Sequence, residues 1–315
     1  MFDLIILEKL GTHHKNIMLM IKNNLNTWKT DKEIYDNITN YINSNNLNKA
    51  FPIGISINNI VAHDSYHESN IKKLNKGDYI KIDVGLEESG NIIDSARTFV
   101  YKESDSKVII DSKDIIEKIE QYIQKELDTH GNILIQKISV LTNLLITTKG
   151  YNSVGMLGGH TIELGKVHGK KLILNQPLNL LPESAKQFID SKAVISNGEM
   201  FALEIYVPEK KCQGELIQNI SLPITHWELN SCIDNIELNK DELEIYDKIK
   251  KNTKGLVYEY FEHKKYPKNI IDKMIEKNII IKHWALDYKS NVKIKFVQYE
   301  DCYIILNNKL ICLSR

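Results

Sequence analysis

A chain of 315 residues, 42% hydrophobic and 26% charged, has the composition of a soluble globular protein and the length for one large or two ordinary domains. Its 41 basic and 41 acidic residues cancel, which argues against a nucleic acid or an anionic membrane surface as the main partner. No apolar run approaches a membrane span, and MFDLIILEKL at the start lacks the flanks of a signal peptide. Cys212, Cys232, Cys302 and Cys312 show no CxxC spacing, so reduced thiols and a cytoplasmic location are expected.

Residues 1–50 read as a helical segment. Ile17, Met18, Met20 and Ile21 recur at helical spacing, as do Ile34, Tyr35, Ile38, Tyr41 and Ile42. Thr30 to Glu33 has the pattern of a capping box for the second helix. His13 and His14 are adjacent on the first helix and point about 100° apart, so they cannot chelate one metal well, and both read as surface residues. Two apolar strand pieces follow in FPIGISINNIVAH, joined through Asn58-Asn59 and closing on His63.

The stretch KIDVGLEESGNIIDSART sets two aspartates into one predicted hairpin. Asp83 lies among Tyr79, Ile80, Ile82 and Val84, and Asp94 among Ile92, Ile93, Ala96 and Phe99, with Ser89-Gly90-Asn91 as the turn. The two carboxylates fall roughly opposite each other. Two facing carboxylates in buried strands lose hydration and repel, and a divalent cation between them offsets both effects. The alternative is a pair of aspartates on the wet face of an antiparallel sheet.

Two helical patterns occupy 107–149, around Ile115-Ile119-Ile123 and Val140-Leu144-Leu145. His160 and His168 then sit among glycines in VGMLGGHTI and GKVHGK, where a loop-borne imidazole suits ligation or substrate contact. Residues 172–198 are irregular. Leu203 to Val207 is a strand carrying Glu204. The stretch from Asn239 to Ile281 is amphipathic and helical. Strands close the chain: Val292 to Tyr299 leading to Glu300, then Tyr303 to Leu306 and Lys309 to Leu313 across an Asn307-Asn308 turn.

Asp83, Asp94, His160, Glu204 and Glu300 form a hard, oxygen-rich donor set. It suits two divalent ions of the Mn, Fe, Co or Zn kind, which together can hold a bridging hydroxide and bind a carbonyl oxygen. His63 and His168 remain for proton handling or substrate contact.

In order along the chain, FPIGISINNIVAH, KIDVG, IIDSART, GGHTIELGKVHGK, ALEIY and QYED resemble the motifs of type 2 methionine aminopeptidases. The resemblance implies an α/β (α+β) pita-bread, or creatinase/aminopeptidase, fold. Its two pseudo-symmetric halves of antiparallel sheet and outer helices enclose a dinuclear site. It implies a pita-bread catalytic domain over 51–315, with a helical insert at about 226–288 in the gap of 96 positions from Glu204 to Glu300. It implies Asp83, Asp94, His160, Glu204 and Glu300 as metal ligands, with Glu204 as general base and His63 as the catalytic histidine near the scissile bond. His168 matches a substrate-contacting histidine, and Phe51, Val167 and His226 fall where the methionine pocket is lined. The implied activity is hydrolytic removal of N-terminal methionine from nascent chains, by a monomer with no nucleic-acid or membrane partner. Two other readings stand beside it: a prolidase-like peptidase, and a pita-bread protein without catalysis that binds partners.

Overall fold

Asp3 and Thr30 start the first two helices. The Asp3 carboxylate accepts from the N–H groups of Ile5 and Ile6, and Thr30 Oγ1 accepts from that of Glu33. Glu33 does not complete a capping box, because its carboxylate takes the Lys29 N–H instead. The resulting helices are α1 (Leu4–Asn24) and α2 (Asp31–Ser44). The computed structural model describes residues 2–187, 189–231 and 237–315. His14 is fully buried in it rather than at the surface, with Nε2 3.2 Å from the Ser95 carbonyl oxygen, and burial lowers its pKa to about 4. His13 is half-buried, with Nδ1 3.1 Å from the Tyr41 hydroxyl.

After β1 (Asn48–Lys49), β2 (Gly54–Ile57) and β3 (Ile60–Ala62) comes the aspartate hairpin, β4 (Tyr79–Glu88) and β5 (Asn91–Val100). Ser89 and Gly90 form its two-residue turn at φ 53° and 81°. β4 pairs along one edge with β5 and along the other with β1 and β2. Next come α3 (Lys107–His130), β6 (Asn132–Leu134) and α4 (Ile135–Thr148). The buried face of α4 is Ile135, Ile138 and Ile146; Val140 and Leu144 lie on its exposed side, contrary to the predicted apolar face.

β7 (Gly158–Ile162), β8 (Leu172–Leu174), the short α5 (Glu183–Lys186), β9 (Val194–Ser196) and β10 (Met200–Pro208) follow. β11 (Gly214–Gln218), β12 (His226–Leu229), α6 (Lys240–Thr253), β13 (Tyr258–Glu259), α7 (Lys268–Glu276) and β14 (Ile280–His283) lead to β15 (Leu286–Ser290). The last two strands are β16 (Phe296–Leu306) and β17 (Lys309–Cys312), with Asn307 and Asn308 both left-handed between them. The final long strand therefore starts at Phe296, not Val292, and runs unbroken through Glu300.

The second sheet has the order β17-β16-β10-β7-β8. It meets the first where β5 runs beside β16. Here hydroxyls stand in for a backbone ladder: Thr98 Oγ1 accepts from Gln298 N and donates to Gln298 O, and Ser95 Oγ donates to Glu300 O. Apolar faces of α1 and α2 pack on the first sheet, and those of α3 and α4 on the second. Two helix pairs thus cover two joined antiparallel sheets, the pita-bread arrangement.

Between β10 and β16 the chain is not purely helical. β13-β12-β14 form a three-stranded sheet that packs with α6 and α7 through Trp227, Leu229, Ile245, Ile249, Ile271 and Met274. β15 pairs instead with β11 and β3. Cys212, Cys302 and Cys312 are free thiols, while Cys232 lies outside the described residues. Among the described residues no helix is long and apolar enough to cross a membrane.

Candidate active site

The strand register decides which carboxylates meet. Asp83 pairs with Ala96 and Asp94 with Gly85, so the two aspartates are diagonal neighbours on one face rather than directly opposite. Glu204 and Glu300 are direct cross-strand partners on β10 and β16. His160 pairs with Ala202, two residues before Glu204, and therefore shares its face. His160 is on strand β7, not on a loop as the glycines suggested. Asp94, His160 and Glu300 each offer a ligand atom, all within 4.8 Å of one another. All five residues line one cavity of about 190 Å³.

The electrostatics of this floor are unfavourable as they stand. Burial first, and mutual repulsion after it, push the carboxyls of Asp83, Glu204 and Glu300 well above the usual range; burial pushes Asp94 up to about 7. Asp83 Oδ1 and Asp94 Oδ1 are buried without a hydrogen-bond partner. The nearby cations are engaged elsewhere: Arg97 binds Asp301 and the Glu300 carbonyl oxygen, and Lys81 donates to the carbonyl oxygens of Asn58 and Phe296. Burial lowers the His160 pKa to about 4, so its ring is neutral near pH 7. Its Nδ1 lies 3.2 Å from the Thr161 carbonyl oxygen, which fixes the N–H there and leaves the Nε2 lone pair 3.5 Å from Asp94 Oδ2. An orphaned oxygen on each aspartate and an inward lone pair are what a divalent cation satisfies. Four carboxylates with one imidazole suit a Mn, Fe, Co or Zn ion.

One amide holds the cluster together. Gln298 Nε2 shares its two hydrogens among Asp83 Oδ2 at 3.1 Å, Glu300 Oε2 at 3.2 Å and, more loosely, Glu204 Oε2 at 3.5 Å. The sequence reading missed it, as it missed Tyr206, which hydrogen-bonds Glu204, and Lys81. Each lies two residues from an acidic position on the same strand, so the period of two was the available signal.

The cavity walls come from four other places. Phe51 packs into the space that a side chain on Gly85 would take, since a Cβ there would sit 2.2 Å from the Phe51 ring. Val167 and His168 arrive from the loop after β7; the His168 ring meets that of His160 at 4.4 Å between centroids. His63 follows β3 in the left-handed region, φ 60°, a strained conformation for histidine. The fixed neighbour Asp64 holds it: its carbonyl accepts from Ile55 N, and its carboxylate lies 2.9 Å from Lys72 Nζ. Burial lowers the His63 pKa to about 4. His226, with His283 and Val257, completes the wall from the inserted segment. The cavity thus gathers Phe51, His63, Val167, His168 and His226, while Ala62, Val257 and His283 gave no sequence signal.

A family model described as metallopeptidase family M24 matches residues 7–250. A methionine aminopeptidase of Thermococcus kodakarensis is 28% identical over 156 residues, 49% of this chain and 47% of that protein. One from Methanothermus fervidus is 30% identical over 145 residues, 44% of this chain and 77% of that protein. Methionine aminopeptidase 2-2 of Colletotrichum graminicola is 29% identical over 161 residues, 50% of this chain and 34% of that protein. The match thus spans less than half the length of the Thermococcus and Colletotrichum relatives. Among solved structures, a Thermotoga maritima methionine aminopeptidase superposes with TM-score 0.63 at 15% identity, covering 98% of this chain and 94% of that one. A thermophilic Arx1 gives 0.75 at 12% identity over 100% and 92%. A Pyrococcus furiosus prolidase gives 0.56 at 12% identity over 99% and 63%. Identities this low establish the pita-bread fold and nothing finer.

Proposed function

Because this chain belongs to metallopeptidase family M24, we propose that it is a methionine aminopeptidase of the type 2 kind, active with two divalent ions. The observation that carries the reading is the buried donor set: four carboxylates and one neutral imidazole on facing strands, with Asp83 Oδ1 and Asp94 Oδ1 unpartnered. Asp83, Asp94, His160, Glu204 and Glu300 would hold the ions. When bound, such ions supply Lewis acidity toward a carbonyl and lower the pKa of water.

The remaining work falls to the chain's own residues. Gln298 fixes three of the carboxylates in one orientation. Glu204 takes the proton of the attacking water and returns it to the leaving amine, a role that its place on the cavity floor allows. His63, neutral and held by its strained backbone, hydrogen-bonds the scissile amide and stabilises the transition state. Phe51, Val167 and His226 receive the N-terminal side chain, and His168 orients the peptide at the mouth. The type 2 assignment draws on the long excursion between Glu204 and Glu300, with its α6 and α7. The domain proposal is one catalytic domain over 51–315 with an N-terminal helical segment before it. A monomer acting on N-terminal methionine peptides in the cytoplasm follows from the same reading.

A prolidase-like specificity and a fold without catalysis are the alternatives; the intact donor set favours the enzyme. The experiment is release of methionine from Met-Ala-Ser by chelated protein reloaded with Co(II), Mn(II), Fe(II) or Zn(II). Release with at least one metal is expected, and none with any of the four sinks the proposal.

A further inference from the structure

The cavity has one wall whose chemistry the donor set does not explain. In the sheet of the inserted segment, His226 of β12 pairs directly with His283 of β14. Cross-strand partners share a face, and Glu228, two residues on from His226, shares it too. His226 and His283 both line the cavity. The His283 ring meets that of His63 edge to face at 6.0 Å between centroids, and His63 meets His226 at 5.8 Å. His283 alone of these three has a carboxylate partner: its Nε2 lies 2.9 Å from Glu228 Oε2. An ionised carboxylate only accepts, so Nε2 carries the hydrogen and donates it. The bond fixes the ring in its plane at the cavity wall.

We propose that His283, oriented by Glu228, is the residue through which this pocket selects a thioether side chain over a hydrocarbon of the same shape. The inference rests on the aminopeptidase reading for the class of substrate. Ala62, Val167 and Val257 would take any slender apolar chain, because burial of a methylene and of a sulfur differ little in such surroundings. A polarizable sulfur gains extra attraction at the edge of an aromatic ring about 5 Å away, and a methylene does not. That contact needs a ring held in one orientation. Glu228 supplies this from outside the cavity and is therefore a positioning residue.

The test uses the full chain loaded with Mn(II) and two tripeptides, Met-Ala-Ser and its norleucine analogue, which differ only at the sulfur. The wild type is expected to favour the thioether by about two- to tenfold in kcat/KM. His283→Leu brings the ratio close to one; Glu228→Leu lowers it part of the way, and Glu228→Gln, whose amide oxygen still accepts from Nε2–H, restores it. A ratio taken within one variant is independent of how much of it is folded or metal-loaded, so a merely structural role leaves the ratio unchanged. Calorimetric binding of L-methioninamide against L-norleucinamide reads the same preference without turnover. An unchanged ratio in His283→Leu overturns the inference, because another ring of the wall, Phe51 or His226, then provides the preference. A calorimetric ratio that shifts in a protein with no turnover overturns the aminopeptidase reading and leaves the role of His283 standing. Failure to bind either amide in a protein that also turns over neither tripeptide overturns both.

Discussion

Replacing Lys72 by Met removes the ammonium that bridges a buried pair of aspartates, a clamp beside His63. Lys72 Nζ lies 2.9 Å from Asp64 Oδ1, 3.4 Å from Asp31 Oδ2 and 2.9 Å from the Ser65 carbonyl oxygen. Asp31 and Asp64 are 0% and 1% exposed, so neither carboxylate can turn to water when the ammonium goes. Removing one partner of a buried ion pair costs about 3–5 kcal/mol. At about 2–4 °C per kcal/mol for a large domain, the melting temperature should fall by roughly 10 °C. The pH dependence has a definite sign. Burial raises both carboxyls above their usual values, and the Lys72 charge opposes that rise. In Lys72→Met both rise further. A carboxyl with a raised folded-state pKa destabilises the fold only where it would be ionised when unfolded. That penalty is absent below about pH 4, the unfolded value, and grows as the pH climbs toward the raised folded value. The deficit should therefore shrink between pH 8 and pH 5, and Asp31→Asn in the Lys72→Met background should recover part of it. Thermal unfolding followed by circular dichroism on metal-saturated protein reads both effects. A deficit under about 1 kcal/mol, the scale of an exposed pair, or one that is equal at pH 5 and pH 8, refutes the description of the clamp.

Chelation should lower the melting temperature, because the carboxylates of the cavity floor then repel unscreened, and added Mn(II) or Co(II) should restore it in proportion to its concentration; a melting curve insensitive to both would count against an occupied site. His63→Ala should retain metal by elemental analysis while kcat falls about 10²-fold or more, whereas Asp94→Ala should lose metal and activity together. Gly159→Ala should disturb His160 through the backbone, since the added Cβ would sit 2.0 Å from the Ala202 carbonyl oxygen and force β7 away from β10; weakened metal binding with normal secondary structure is expected, and wild-type metal affinity would contradict the close packing.

The sequence by itself located the acidic anomalies. Asp83, Asp94, Glu204 and Glu300 each interrupt an apolar alternation, and a charged residue set into a buried strand stands out at the level of a few neighbours. The hairpins were equally local, because Ser89-Gly90 and Asn307-Asn308 favour the left-handed conformations that two-residue turns require. What the sequence could not supply is which strand lies beside which. A period of two reveals that Gln298 and Glu300 share a face, but not that the same amide reaches Asp83 on the other sheet. The reading of His14 as a surface residue failed for the same reason: helical spacing assigns a direction, and only the packing of α1 on β5 puts the Ser95 carbonyl there. His283 and Glu228 carried no signal, since their pairing depends on the register of β12 with β14 across more than fifty intervening residues. Local propensity and alternation are properties of neighbouring residues in the chain. The contacts that make a cavity form between residues distant along it, and only the joining of the two sheets with the inserted segment fixes them.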